Sequence, residues 1–261
     1  MDYQTIKVIK EEGVATILLN RPEKMNALNM EAIKELLRAT EEVGADETVR
    51  VVVLTGAGCA FCAGGDLTSK MYDVINPAEV RKIIIEFGKV PLNLRNMPKP
   101  VIAAVNGPAV GVGLGFALAA DIIIASEEAR FGHVYANIGL MSDGGSIYFL
   151  PRLIGVAKAC ELMFTGKVID AKEAEKIGLV NQVVPADRLE IVVKELALRL
   201  ANGPAMAIAL QKISLYQGLT MDLPTAIEWE ARAMSLCMLS EDMKEGVKAY
   251  REKRAPVFKG R

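Results

Sequence analysis

Two glycine-rich segments and one aspartate carry most of the chemical potential of this chain. The first, Asn106-Gly107-Pro108-Ala109-Val110-Gly111-Val112-Gly113-Leu114-Gly115, lies between the apolar runs Val101–Val105 and Phe116–Ala120. A strand feeding a tight turn and a buried helix leaves the first N–H groups of that helix unpartnered, in a place dry enough for them to hold negative charge. The second, Phe61-Cys62-Ala63-Gly64-Gly65-Asp66, follows the run Val51–Thr55 and has glycines where backbone must approach a ligand closely. Two peptide N–H groups converging on one oxygen make an oxyanion hole, so the chemistry indicated is stabilisation of charge developing on that oxygen.

Asp143 stands in Gly139-Leu140-Met141-Ser142-Asp143-Gly144-Gly145-Ser146, just before the apolar run Ile147–Leu150. Glycines around it allow the side chain to be aimed into a cleft. Aspartate before an apolar run is also a favoured helix N-cap, and the local sequence alone favours the cap. His133 is the single histidine and reads as a structural residue, which removes most support for a Ser-His-Asp triad or a histidine metal site. Trp229, also single, reads as packing. Cys59 and Cys62 form one Cys-x-x-Cys inside the glycine loop, without a second pair or ligand-spaced histidines, and read as structural. Gly111-x-Gly113-x-Gly115 sits between a strand and a helix as a dinucleotide fingerprint would, but its third glycine comes one residue early and Asp121 and Glu127 are too close for the ribose-binding acid. No Gly-Lys-Ser/Thr follows, so a P-loop is excluded, and tight packing is the remaining use of those glycines.

The elements that must position these groups follow from periodicity. Ile6–Ile9 and Val14–Leu19, separated by Glu11-Glu12-Gly13, predict a hairpin. Asn29 caps a predicted helix over about 30–43, with Ile33, Leu36, Leu37 and Val43 at helical spacing. Strands are expected at Val51–Thr55, Val101–Val105 and Ile122–Ala125, with a short edge at Arg130–Phe131 and a helix over 112–120. Repeated small units of strands plus one helix suggest a superhelical α/β stack. Lys70–Glu86 mixes charges with Pro77 and is expected to be a mobile loop or short helix over the site. Beyond Pro151 the expectation is helices alone: 157–165, 171–177, 188–201, 205–217, 223–239 and 241–253. That tail has more apolar surface than one small core requires, so part of it should bury against other subunits.

Composition narrows the functions further. The 261 residues suit one α/β domain with a helical extension. A net charge of −1 and a pI near 6.0 offer no general attraction to nucleic acid or anionic membranes. The mean hydropathy of +0.25 is high, yet the most apolar stretch, Gly107–Ala120, is shorter than the roughly 20 residues a membrane span needs. Four cysteines without a disulfide framework, and an N-terminus without a basic and apolar leader, point to a cytoplasmic protein.

Leu19-Asn20-Arg21-Pro22 with Asn26-Ala27-Leu28-Asn29, then Phe61–Leu67, Asn106–Gly111, Asp121–Ala125 and the ending Glu252–Lys259, occur in order along essentially the whole chain. In these motifs it resembles the crotonase, or enoyl-CoA hydratase/isomerase, superfamily. The resemblance implies ββα units carrying an acyl-CoA site over residues 1–200, and a helical trimerisation region over 201–261. A homotrimer, or trimers paired into a hexamer, is implied with it. It assigns the two N–H groups on the thioester oxygen to Gly65 and Val112. CoA would lie over Arg21–Ala27 and Phe61–Gly64, so that Lys24, Ala27, Phe61, Ala63, Gly64, Asp66, Leu67 and Gly111 join the substrate contacts, with Tyr135 in the acyl site and Phe258 and Lys259 reaching CoA, often from a neighbouring subunit. No metal or separate cofactor is implied, since coenzyme A is part of the substrate.

The departures from the family pattern bear most on activity. Typical hydratases of the family flank water and substrate with two glutamates, where this chain has Gly115 and Tyr135. Asp143 coincides with the single carboxylate that isomerases of the family use to move a proton. Gly-Leu-x-x-Asp followed by Phe149-Leu150-Pro151-Arg152 is similar to the ring-rearranging isomerases of phenylacetate breakdown. The resemblance therefore turns Asp143 from cap to catalyst, in double-bond or ring isomerisation within fatty or aromatic acid metabolism. Two rivals remain: an enoyl-CoA or cyclic dienoyl-CoA hydratase with Asp143 as sole acid and base, and a catalytically silent RNA-binding or scaffold member. The acidic pI and the retained carboxylate count against the second. In the aryl-CoA dehalogenase branch an aspartate at this place is a nucleophile assisted by tryptophan and histidine; Tyr135 replaces the tryptophan and no histidine occurs in Met71–Pro91.

Overall fold

The computed structural model describes residues 3–261. The hairpin β1 (Ile6–Glu11) and β2 (Val14–Leu19) turns at Glu12 and Gly13, both at positive φ. Asn29 then starts α1 (Met30–Ala45), its side chain accepting from the Ala32 N–H at 2.9 Å. Strand β3 (Val51–Gly56) pairs in parallel with β2. After it, α2 (Pro77–Asn96), β4 (Val101–Val105), β5 (Ala109–Val110), α3 (Val112–Leu118), β6 (Ile122–Ser126) and β7 (Arg130–Gly132) complete the first half of the chain. The remainder comprises α4 (Ser146–Ile154), α5 (Val156–Thr165), β8 (Val168–Asp170), α6 (Ala171–Lys176), β9 (Gln182–Val184), α7 (Leu189–Ala201), α8 (Ala205–Gly218), α9 (Leu223–Leu239) and α10 (Glu241–Glu252).

The main sheet runs β1-β2-β3-β4-β6-β9, parallel except for the first hairpin, and β5-β7-β8 form a small second sheet. Burial on both faces explains why β3 and β4 read as continuous apolar runs. Val52 and Leu54, like Val101, Ala103 and Val105, face the layer of α1, α2 and α3. Val51 and Val53, like Ile102 and Ala104, face Leu189, Val193, Ala197 and Ala201 of α7. The period of two thus sorts one sheet between two helical layers.

The structure decides one expectation and corrects two. Of the two readings of Lys70–Glu86 the helix over the site holds, though longer than expected: a short 3-10 turn over Lys70–Asp73 leads into the 20-residue α2. Asn76 caps it through the Ala78 N–H at 2.9 Å, Pro77 occupies a first-turn position where its missing N–H costs nothing, and Val80, Ile83, Ile84, Phe87, Val90 and Leu94 follow helical spacing through the internal Pro91. The region beyond Pro151 also holds strands, β8 and β9, each three residues and too short to show a period. Asp143 is not a cap: Gly145, at φ 80°, occupies that position for α4.

A buried ion pair fastens the C-terminal helices to the sheet. Lys212 of α8 meets Asp121 at 2.8 Å and donates to the carbonyls of Leu94 and Lys99, both at 2.9 Å, while Tyr216 donates to the other Asp121 oxygen at 2.7 Å. Every charge in this cluster has a partner, the condition under which a buried pair is tolerated. By contrast, α9 has no buried residue along its 17 positions.

Candidate active site

The two glycine segments meet because their chains run side by side. Cys62 and Ala109 form an isolated parallel bridge, with the Cys62 N–H on the Pro108 carbonyl at 3.0 Å and the Val110 N–H on the Cys62 carbonyl at 2.9 Å. Three residues past the bridge on each strand lie Gly65 and Val112. Among the described residues neither of these N–H groups has a backbone acceptor, Val112 because it is the first residue of α3. Glycine is required around them for space. A Cβ on Gly113 would collide with Cys62, and one on Gly64, itself at φ 92°, would press on the Val110 carbonyl at 3.0 Å. The Cys62 thiol is buried, pushed up to about 12, and donates to the Asn26 carbonyl at 3.2 Å, so it serves packing and not metal or redox chemistry.

Asp143 faces this pair from the loop before α4. Its carboxylate accepts a hydrogen bond from the Tyr135 hydroxyl at 2.5 Å. Burial raises the Asp143 carboxyl above the usual range, and the Tyr135 bond opposes part of that rise. The Tyr135 phenol is itself raised by burial and by the neighbouring carboxylate, so it stays protonated and keeps donating. Tyr135 is braced by the His133 ring, tilted at 5.0 Å. His133 is buried and held neutral by desolvation, with Nδ1 3.4 Å from the Ser142 Oγ. This is the structural role read from the sequence.

The loop that carries Asp143 is set against α3 by two glycines. A Cβ on Gly115 would lie 2.8 Å from the Gly144 carbonyl oxygen and 3.0 Å from the Ser146 Oγ. A Cβ on Gly144, at φ 59°, would meet the Val112 side chain at 2.8 Å. Backbone therefore fills the place at 115 where a second carboxylate would stand.

These groups open on a cavity of about 490 Å³. Of the expected contacts, Ala63, Gly64, Gly65, Leu67, Gly111, Val112, Tyr135 and Asp143 line it. So do Met71, Val74, Val80, Ile83, Ile84 and Phe87, which carry the wall from the 3-10 turn into α2, and Val134, Ile138, Leu140 and Met141 opposite. Nearly all of this wall is apolar. Its other polar groups are Tyr72 and Ser142. None of the α2 residues, nor Tyr72, was found by sequence reasoning. The helical spacing of Val80, Ile83, Ile84 and Phe87 was the available signal.

The remaining expected contacts are not at the cavity. Phe61 is fully buried in the core. The Asp66 carboxylate is occupied by Arg21 at 3.0 Å and by the Thr68 N–H and hydroxyl at 3.1 and 2.6 Å, so it braces a turn, and Arg21 also holds the Ala27 carbonyl. Lys24 is exposed on the 3-10 turn Pro22–Lys24, and Ala27 lies beside it. Phe258 and Lys259 belong to a tail folded back on α10: the Lys259 and Gly260 N–H groups donate to Asp242, and Arg50 donates to the Lys259 carbonyl at 2.8 Å. Arg50 precedes β3, whereas the glycine loop follows it, so this tail sits at the opposite end of the sheet from its own cavity.

The family model described as enoyl-CoA hydratase/isomerase matches residues 9–261. The short-chain-enoyl-CoA hydratase of Clostridium acetobutylicum is 40% identical over 255 residues, covering 97% of each chain. The 1,2-epoxyphenylacetyl-CoA isomerase of Escherichia coli K12 is 38% identical over 253 residues, covering 96% of this chain and 97% of that one. Among solved structures, an enoyl-CoA hydratase from Bacillus anthracis superposes with a TM-score of 0.94 at 36% identity, over 99% of this chain and all of the other.

Proposed function

Because the chain belongs to the enoyl-CoA hydratase/isomerase family, we propose that it isomerises an unsaturated acyl-CoA, moving a C=C bond or rearranging an unsaturated ring with Asp143 as the proton carrier. The observation that carries this reading is one half-buried carboxylate, Asp143, on the same cavity as two N–H groups without a backbone acceptor, with Gly144 backbone in the place of a second acid. The thioester oxygen would sit on the N–H groups of Gly65 and Val112. Asp143 would remove a proton from the α or γ carbon, placing charge on that oxygen as an enolate, and return the proton at the other carbon. The raised carboxyl suits both halves of the cycle: it is a stronger base than an exposed aspartate and, once protonated, a competent acid. Syn addition of water needs an acid and a base flanking the water, and only one carboxylate is at hand. The relative named 1,2-epoxyphenylacetyl-CoA isomerase supports isomerisation of an acyl-CoA as the class of chemistry.

The surroundings fit the remaining parts. The apolar wall suits a hydrocarbon acyl group, CoA would extend past Lys24 and Ala27, and no separate cofactor enters the proton transfer. Homotrimeric or hexameric assembly is supported by α9, with Leu223, Ile227, Met234 and Leu239 all exposed in one protomer, and would make 201–261 the assembly region. The tail bearing Phe258 and Lys259 would then meet the CoA of a neighbour.

The test is Asp143→Asn assayed on 2-enoyl-, 3-enoyl- and cyclic dienoyl-CoA thioesters. Turnover and solvent deuterium exchange at the α or γ carbon should fall together by about 10²–10⁴ while folding is unchanged, since Asp143 caps no helix. Near-normal isomerisation in the variant would overturn the proton shuttle. A parent protein that only hydrates would move the chemistry to Asp143-directed water.

A further inference from the structure

Tyr72 is the one cavity group with a strong donor and no assigned task. Asp66 fastens the turn that carries it. The Asp66 carbonyl accepts from the Ser69 N–H at 2.8 Å, the Ser69 carbonyl accepts from the Tyr72 N–H at 3.2 Å, and the Asp66 carboxylate holds Thr68 and Arg21. This turn folds the phenol back over Gly65, where any Cβ would collide with the Tyr72 hydroxyl. Gly65 is not at positive φ, so its backbone would accept other residues. It is glycine for space, and the group that takes up the space beside that peptide is the Tyr72 hydroxyl, with the Met71 methyl 3.3 Å from the same point.

The phenol is polarised from two sides yet bonded to neither. Desolvation raises it, and the carboxylates of Asp143 and Asp66 raise it further, so it remains a protonated donor. No hydrogen-bond partner within the protein contributes to that shift. Tyr135, in contrast, is committed to Asp143. A half-exposed donor aimed at the candidate oxyanion peptide, next to an apolar acyl wall, has one polar atom of a thioester substrate to meet.

We propose that the Tyr72 hydroxyl is a third hydrogen-bond donor to the thioester oxygen, acting beside the N–H groups of Gly65 and Val112 and strengthening its bond as that oxygen becomes an enolate. The inference rests on the reading of Gly65 and Val112 as the oxyanion pair. It divides the work of two tyrosines: Tyr135 orients the base, and Tyr72 serves the oxygen. The substrate class follows, since a phenol at this point favours an acyl carbonyl with no bulky group at the α carbon.

The experiment compares the parent protein with Tyr72→Phe and Asp143→Asn, using an acyl-CoA that the parent turns over and, for spectroscopy, a saturated acyl-CoA labelled with ¹³C at the thioester carbonyl. Removing the hydroxyl should lower kcat and kcat/KM together by about 10- to 100-fold, the effect of one hydrogen bond to a charged group, with KM little changed. The infrared band of the bound carbonyl should shift back toward its position in solution. The lost hydroxyl bonds to nothing in the protein, so folding is not at stake. Unchanged kcat with an unmoved band, or a rate loss without any band shift, would overturn the proposal. Asp143→Asn keeps the outcomes separable: if it abolishes deuterium exchange while Tyr72→Phe behaves as the parent, only the third donor falls, whereas exchange that survives Asp143→Asn removes the underlying reading.

Discussion

The two walls of the cavity are built from different materials. On one side, Gly64, Gly65, Gly111 and Val112 present backbone, locked by the bridge between Cys62 and Ala109, by the lack of room for a methyl group at Gly65 and by the positive φ of Gly64 and Gly111. On the other, Val80, Ile83, Ile84 and Phe87 present large side chains from the first half of a helix, and Ile84 is substantially exposed. A wall of peptide groups cannot be retuned one side chain at a time. A wall of side chains can. On the proposed reading, the contrast puts reaction type and acyl selectivity in separate pieces of this chain, with Asp143 on a third piece beside both.

Removing a backbone donor is the harshest way to break that division. Val112→Pro deletes one N–H at the first helical position, where proline is tolerated. The rate should drop by about 10²–10³ on every acyl-CoA alike, with the circular dichroism spectrum preserved. A change in acyl preference, measured as the ratio of kcat/KM for a short and a long chain, would show that the backbone wall also selects. The opposite wall gives a smaller, selective effect. Ile84→Phe should leave turnover of a short acyl-CoA nearly intact and depress that of a longer or ring-bearing one by roughly 10-fold or more, the scale of a few methylenes in a hydrophobic pocket. A uniform loss across chain lengths would contradict the comparison.

Smallest is the change expected at Tyr135, which refines the third piece. Its hydrogen bond holds the Asp143 carboxyl lower than burial alone would. In Tyr135→Phe the carboxyl rises, so the acid limb of the pH–rate profile, where the base becomes protonated, should move to higher pH with only a modest loss at the plateau. A limb that stays in place would mean that Tyr135 does not set the ionisation of Asp143. A limb that moves to lower pH would reverse the assignment.

What could be read from the residues alone tracks the same division. Strands β3, β4 and β6 were legible as short apolar runs rich in β-branched residues, β2 as one arm of a hairpin, and the helix α1 by its Asn29 cap and helical spacing. The glycine loops were legible because a backbone site needs glycine at set spacing. Helix α2 was only half legible, as one of two readings of Lys70–Glu86, since mixed charge and Pro77 suit a loop as well although Pro77 starts the helix. With α2 went Tyr72 and the acyl wall. Asp143 was legible as a proton carrier only through the family resemblance; its local residues read as a helix cap, and the structure removes that reading by placing Gly145 at the cap. Asp66 shows another limit, for its motif position implies a substrate contact while its carboxylate is engaged by Arg21 and Thr68. Occupied hydrogen-bonding capacity leaves no trace in a sequence.

The contact between Gly115 and the Gly144 carbonyl also orders the mutational routes open to this protein. A glutamate at 115 would place a Cβ 2.8 Å from that oxygen, so acquiring it forces the loop to shift before it could bring any hydrating activity. The 139–145 loop must retreat first, and that retreat withdraws Asp143, on which the present activity would depend. Lineages passing between one-carboxylate and two-carboxylate chemistry at this site would have to cross a stretch with neither, which makes gene duplication, with one copy still working, the passable road.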